Sequence, residues 1–146
     1  MMPGTALKPV FWLRTAAVIA LLFAAGHTAG RPWTPARAPA AESVVAAMRG
    51  VQFQAAGATR SYWDFYQGFG LIVSLFLALE AILLWQLART ARRGQDYRAG
   101  AITHLVAFLV VGLVGARYVF ALPMWFALAI AVCLVLACIA GRARSA

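Results

Sequence analysis

The sequence predicts an all-α membrane protein: a four-transmembrane-helix bundle with one outer loop carrying a short amphipathic helix. Charged residues make up only 12% of the chain, whereas a soluble domain carries about 25%. Four apolar stretches each approach the roughly 20 residues with which a helix crosses a bilayer. These stretches are about 10–28, 66–88, 101–118 and 122–141. We therefore expect one integral membrane domain over residues 1–146, with its sizeable loop at about 29–60.

Basic residues predict the orientation of the spans, because short loops rich in Lys and Arg stay in the cytoplasm. The connection from Arg89 to Arg98 is the clearest loop of this kind. With the N-terminus inside, the cytoplasmic side carries Lys8, Arg14, Arg89, Arg92, Arg93, Arg98, Arg142 and Arg144. We expect a multi-pass protein of the bacterial inner membrane with both termini cytoplasmic. The net charge of +9 suits this topology and anionic lipids, and no basic run is long enough to indicate nucleic acid.

The first apolar stretch has a second interpretation, as a secretory signal that is cleaved. Lys8 and Arg14 flank the start of its apolar core, and Ala36-Arg-Ala38 resembles a cleavage pattern. We favour a retained span, because the run is long for a signal core and Arg14 can extend its guanidinium to the inner surface. The two cysteines, Cys133 and Cys138, are expected to be free thiols inside the last span.

The outer loop contains one predicted helix, from about Ala40 to Ala56. Pro39 suits its first turn, Glu42 complements its positive end, and Gly57 can end it, although Phe53 interrupts its polar face. This helix is expected on the outer interface, as a connector or as a lid. Ser61 and Asp64 then have the spacing of a capping box, which predicts that the second span begins at Ser61.

Polar and aromatic residues cluster where the outer ends of the spans are expected. The candidate ligand-binding residues are His27, Arg60, Asp64, Tyr66 and Arg117. Histidine, carboxylate and guanidinium together can bind a headgroup or transfer a proton. Each also has a structural interpretation: His27 bonded to a loop carbonyl, Asp64 as a cap paired with Arg60 on one helix face. Gly68 indicates either close helix packing or a narrow gap for a ligand.

Glu80 is an acidic residue at membrane depth, nine residues before Arg89. Such residues cost on the order of 2.5 to 3.5 kcal/mol on insertion scales and are functional candidates for that reason. Three interpretations stay open: a protonated structural side chain, a proton or ion site, and a direct pair with His104. Glu80 and His104 are therefore the candidate proton or ion site.

Several stretches resemble an uncharacterised bacterial family of small four-span inner-membrane proteins. They are Gly-His-Thr-Ala-Gly at 26–30, Ala-Met-Arg at 47–49, Gly-Ala-Thr-Arg-Ser-Tyr-Trp-Asp-Phe-Tyr-Gln-Gly-Phe-Gly at 57–70 and Leu-Leu-Trp-Gln-Leu at 83–87. The resemblance extends to about residue 140, and the stretch at 57–70 is its specific part. It implies the four-span topology and the importance of His27, Arg60, Asp64 and Tyr66. It implies no activity, and nothing for Glu80, where such proteins more usually carry glutamine.

Three functions fit these observations. The first is binding of a small lipophilic molecule or a lipid at the outer polar-aromatic site. The second is a proton-coupled small transporter subunit that uses Glu80, and the third is an accessory or scaffold membrane protein that docks a partner or forms an oligomer. Membrane lipids are expected partners in every case. No motif indicates a metal, nucleotide or redox cofactor, so none is expected, and the sequence does not decide whether the protein is an enzyme.

Overall fold

The computed structural model describes residues 8–30 and 38–142. Within them lie α1 (Pro9–Ala29), α2 (Pro39–Gly50), β1 (Gln52–Ala55), β2 (Ala58–Ser61), α3 (Tyr62–Arg92), α4 (Arg98–Tyr118) and α5 (Ala121–Arg142). The helices α1, α3, α4 and α5 are each long and apolar enough to cross a membrane. The predicted fold class is confirmed, with the short helix α2 preceding the strands. The proline-rich stretch 31–37, which contains Trp33 and most of the cleavage-like pattern, lies outside the described residues.

The ends of the helices follow from local chemistry. Pro9 and Pro39 open α1 and α2, where the missing N–H of proline would have no intrahelical partner. Gly94 follows the end of α3 with φ of +74° and donates its N–H to Ala91 O, which is how glycine commonly terminates a helix. A short connection then leads into α4. At 31 residues, α3 is about 46 Å long, which exceeds the roughly 30 Å of a hydrocarbon core.

The described residues divide into two compact units, and the boundaries fall inside α1 and α3. The first unit contains the described residues up to Phe23 and from Leu77 onward. Its core is built from all four long helices, with Leu13, Leu84, Phe108, Ile130 and Leu134 as the largest fully buried side chains. Alanines fill the space between these side chains, as is usual where membrane helices approach closely.

The helices α4 and α5 form a closely packed hairpin in this unit. A Cβ added at Gly112 would lie 3.4 Å from Ala127 Cβ, and one at Gly115 would lie 3.3 Å from Pro123 Cβ. The two glycines therefore allow the helices to touch where larger side chains would separate them. At the opposite end of the hairpin, the Tyr97 hydroxyl donates to Ala137 O at 2.8 Å.

The second unit contains the described residues between Ala24 and Phe76. Its structure corrects one sequence prediction. The helix expected over 40–56 ends at Gly50, and a β-hairpin follows. The antiparallel strands β1 and β2 pair Gln52 with Ser61, and Ala56 and Gly57 form the turn with φ of +49° and +80°. Two consecutive positive φ values characterise the hairpin turn that matches the twist of strands. The prediction of a longer helix was wrong because the backbone N–H and C=O groups of β1 bond across to β2 instead of along a helix, and either arrangement satisfies them.

Candidate functional site

The N-terminus of α3 is held by the predicted capping box. Ser61 Oγ accepts the N–H of Asp64 at 3.1 Å, and Asp64 Oδ2 accepts the Ser61 N–H at 2.8 Å and the Ser61 hydroxyl at 2.9 Å. Ser61 is 7% exposed. The reciprocal bonds satisfy N–H groups that a helix start leaves without partners. Asp64 therefore has a structural role here, with one carboxylate oxygen occupied by the cap.

The hairpin is fixed to the start of α3 by an aromatic cluster. The ring centroid of Phe53 lies 5.0 Å from that of Tyr62 and 5.1 Å from that of Phe65. Phe65 in turn contacts Phe69 one helical turn further on, at 5.9 Å. This explains Phe53, which did not fit the expected polar face of a longer helix. The cluster orients β2, and with it Arg60, against the first turns of α3.

An open groove, here called the Arg60 groove, runs along these first turns. Its lining consists of Arg60, Asp64, Phe65, Gly68, Phe69 and Ile72. The side of Gly68 that a Cβ would occupy has no neighbour within 4 Å. The structure therefore does not support the interpretation of Gly68 as a site of close helix packing. It agrees with the other interpretation, open space beside the helix. The groove combines one charged end with an apolar wall.

Arg60 lies on β2, not on the helix, which corrects the premise that Arg60 and Asp64 share a helix face. Its Nη1 donates to Thr59 O at 2.8 Å. That contact uses one of the five N–H donors of a guanidinium. Arg60 is exposed, and within the Arg60 groove it is the cation that a ligand can reach.

His27 belongs to α1 and contacts a different face of α3 from the one that carries the Arg60 groove. Its Nδ1 is 3.0 Å from Ser74 Oγ, and Thr28 Oγ1 lies 3.1 Å from the same oxygen while donating to Ala24 O at 2.7 Å. At about 100° per residue, Ser74 is about 150° around α3 from the centre of the groove residues. The partner of His27 is thus a hydroxyl on a neighbouring helix, not the loop carbonyl of its structural interpretation.

Tyr66 also lies away from the Arg60 groove. It stacks on the buried ring of Trp63 with centroids 5.4 Å apart, and the guanidinium carbon of Arg49 lies 5.0 Å from the centroid of Trp63. These contacts connect α2 to α3. Arg117 belongs to the other unit, where its guanidinium carbon lies 5.2 Å from the ring of Tyr118. Of the five candidate ligand-binding residues, the groove therefore contains Arg60 and Asp64, and the ligand-binding roles stay a prediction.

Glu80 and His104 form a direct pair inside the first unit. His104 Nδ1 lies 2.7 Å from Glu80 Oε2, and the side chains are 16% and 29% exposed, in that order. This is a hydrogen-bonding distance, at which an imidazole N–H can donate to a carboxylate or a carboxylic acid can donate to an imidazole nitrogen. Among the described residues this is the one ion pair. Of the three interpretations of Glu80, the direct pair is the one that the geometry shows.

Sequence reasoning missed Ile72 and Ser74. Ile72 follows Asp64 and Gly68 at intervals of four, which places all three on one helix face, but that spacing has little contrast in an apolar span. Ser74 is a hydroxyl residue within an apolar run, and this position in the sequence was the signal that could have indicated a polar partner. Within residues 8–30 and 38–142, no group of three or more His, Cys, Asp or Glu side chains comes together to hold a metal ion.

Comparison with known proteins does not indicate a family for this chain. No protein-family model matches the chain, no curated protein matches it, and no solved structure matches it. The function of the site must therefore be inferred from its own chemistry.

Proposed function

We propose that this integral membrane protein binds a small amphiphilic molecule or a lipid in the Arg60 groove. The observation that supports the proposal is the pairing of an exposed guanidinium with an apolar wall along one helix face. Phe65, Phe69 and Ile72 are 41%, 61% and 47% exposed. Apolar area of this kind, beside a charge with unused donors, suits a ligand with a polar head and an apolar tail.

The depth of the groove supports the same ligand class. Twelve residues of α3 precede Ser74, the residue that His27 contacts near the end of α1. At 1.5 Å per residue these twelve span about 18 Å. The helical part of the groove, from Asp64 to Ile72, occupies about 12 Å of that length, so an amphiphile entering from the lipid would meet the apolar wall first and Arg60 last. Arg60 then binds the headgroup, and Asp64 holds the helix start in position through the cap.

The proposal includes an orientation. Basic residues flank the ends of α3 and α4 that are joined by the connection from Arg92 to Arg98, and such short connections stay in the cytoplasm. Both termini are then cytoplasmic in a bacterial inner membrane, and the Arg60 groove faces outward. Membership of the uncharacterised four-span family suggested by the stretch at 57–70 belongs to the same proposal.

Native mass spectrometry of the full chain in a mild detergent tests the binding proposal. We expect a discrete co-purifying species on the wild type that is lost in Arg60→Gln and in Gly68→Leu, the second of which adds a side chain at a groove position where the Cβ site is open. His27→Ala is the matched control, because His27 contacts another face of α3, and it should retain the species. Identical spectra for the wild type and both groove variants would refute the proposal.

The pair of Glu80 and His104 favours a second candidate function, a proton-coupled transporter subunit. Acidic residues at membrane depth commonly bind and release protons in transporters, and a 2.7 Å contact with an imidazole provides a neighbour that can exchange one. In proteoliposomes with an internal pH dye, coupled transport of lipophilic cations should move protons in the wild type and not in Glu80→Gln. Under the groove proposal, Glu80→Gln leaves ligand binding unchanged.

A further inference from the structure

A second groove runs along the other half of α3, in the first unit. It lies between α1 and α3, and it is called the Arg89 groove here. Ala17 and Leu21 contribute to one wall, Ala78 and Ile82 to the other, and Trp85 and Arg89 to one end. The Arg60 groove shares no residue with it. None of the functions considered so far uses these side chains.

The Arg89 groove has the depth of one membrane leaflet. From Ala78 to Arg89 is eleven residues, or about 17 Å along α3, and half of a hydrocarbon core is roughly 15 Å. Small side chains at Ala17 and Ala78 leave a channel between the larger Leu21 and Ile82, and the wall is apolar as far as Trp85, beyond which Gln86 and Arg89 line the groove. In a bilayer, an acyl chain is the component that fills an apolar channel facing the lipid.

One end of the channel is basic. The guanidinium carbon of Arg14 lies 5.2 Å from the ring centroid of Trp85, and Arg89 follows Trp85 by one helical turn on the same face. Both arginines are exposed. Tryptophan at this depth is typical of the membrane interface, where phospholipid headgroups lie.

Within the described residues, neither Arg14 nor Arg89 forms an ion pair. The one ion pair there joins His104 to Glu80, and Glu80 lies about 170° around α3 from the centre of the groove. Arg14 and Arg89 therefore present two positive charges at the headgroup end of an apolar channel. That arrangement is complementary to a lipid whose headgroup carries net negative charge.

We propose that the Arg89 groove binds an anionic glycerophospholipid. One acyl chain lies in the channel lined by Ala17, Leu21, Ala78 and Ile82, and the guanidinium groups of Arg14 and Arg89 bind the phosphate. A zwitterionic lipid of the same chain length fills the channel equally well and lacks the net charge. The site is independent of ligand binding in the Arg60 groove.

Lipid titration of the full chain in neutral detergent, followed by native mass spectrometry, tests this site. The probes are dioleoyl phosphatidylglycerol and dioleoyl phosphatidylcholine. A basic residue at a membrane surface contributes enough attraction to change affinity about fivefold. We therefore expect Arg14→Gln and Arg89→Gln each to lower affinity for phosphatidylglycerol about fivefold and to leave phosphatidylcholine binding unchanged. Ala78→Phe, which occupies the channel, should weaken both lipids.

Arg98→Gln is the matched control, since it removes one positive charge from the start of α4, across the short connection from α3. It should leave phosphatidylglycerol affinity unchanged. An equal loss in Arg98→Gln and Arg89→Gln would overturn the proposal, because the attraction would then be a general effect of charge. Equal wild-type affinity for the two lipids would also overturn it, as would displacement of phosphatidylglycerol by inorganic phosphate. Retained binding in Arg89→Lys shows that loss in Arg89→Gln is not unfolding.

Discussion

Removing the Ser61 hydroxyl tests the capping of α3 quantitatively. Ser61→Ala removes two of the three bonds of the capping box, the one Oγ accepts from the Asp64 N–H and the one it donates to Oδ2, while the Ser61 N–H keeps its bond to Oδ2. Loss of an N-cap serine costs about 1 kcal/mol, which is roughly a fivefold change in an opening equilibrium. Hydrogen exchange followed by mass spectrometry should therefore show about fivefold faster exchange at the first turn of α3.

Ser43→Ala is the control for this prediction. The Ser43 hydroxyl donates to Ala40 O within the exposed surface of α2, so the substitution removes the same atom without removing a cap. Exchange at α2 and at α3 should then match the wild type. If Ser61→Ala also left the first turn of α3 unchanged, the capping box would not stabilise the helix start and the groove beside it would need another support.

Three further predictions follow from the packing. Gly115→Leu should lower the thermal unfolding midpoint in detergent, because the added carbons meet Pro123 and overpacking costs about 1–3 kcal/mol. Phe53→Ala should speed trypsin cleavage in the hairpin, because the aromatic pairs of Phe53 with Tyr62 and Phe65 each stabilise it by about 0.5–1.5 kcal/mol. His104→Ala should lower the unfolding midpoint by more than the double variant with Glu80→Gln, because the single variant leaves a part-buried carboxylate without its 2.7 Å partner.

The fold class was predictable because it depends on the length and hydropathy of apolar runs, which are read directly from the sequence. Four such runs predict the spanning helices, and the spacing of Ser61 and Asp64 predicts the start of α3. The hairpin was not predictable by the same means. Its turn uses Ala56 before Gly57, whereas Asn or Asp before Gly is the strong hairpin signal. Alanine-rich sequence on both sides favours helix by propensity, and strand pairing overrides that preference.

The sequence indicated which residue types belong to candidate sites, but it did not indicate how those residues are arranged in space. Glu80 and His104 were both candidates, but an almost uniformly apolar helix carries little information about which face meets a neighbour. The rotation of α3 and α4 that brings Glu80 to His104 is a tertiary property. The same holds for His27, whose contact with Ser74 separates it from Arg60. The sequence suggested one cluster, whereas His27 contacts one face of α3 and the Arg60 groove lies on another.

The most direct test of the central claim is photo-crosslinking from the wall of the Arg60 groove in intact membranes. A photoreactive phenylalanine analogue at Phe69 keeps the aromatic shape of the wall. The same analogue at Leu71 is the control, because Leu71 is exposed, does not line the groove and lies about 160° around α3 from Phe69. We expect one discrete amphiphile attached at position 69 and none at 71. Equal labelling of bulk lipid at both positions would contradict it.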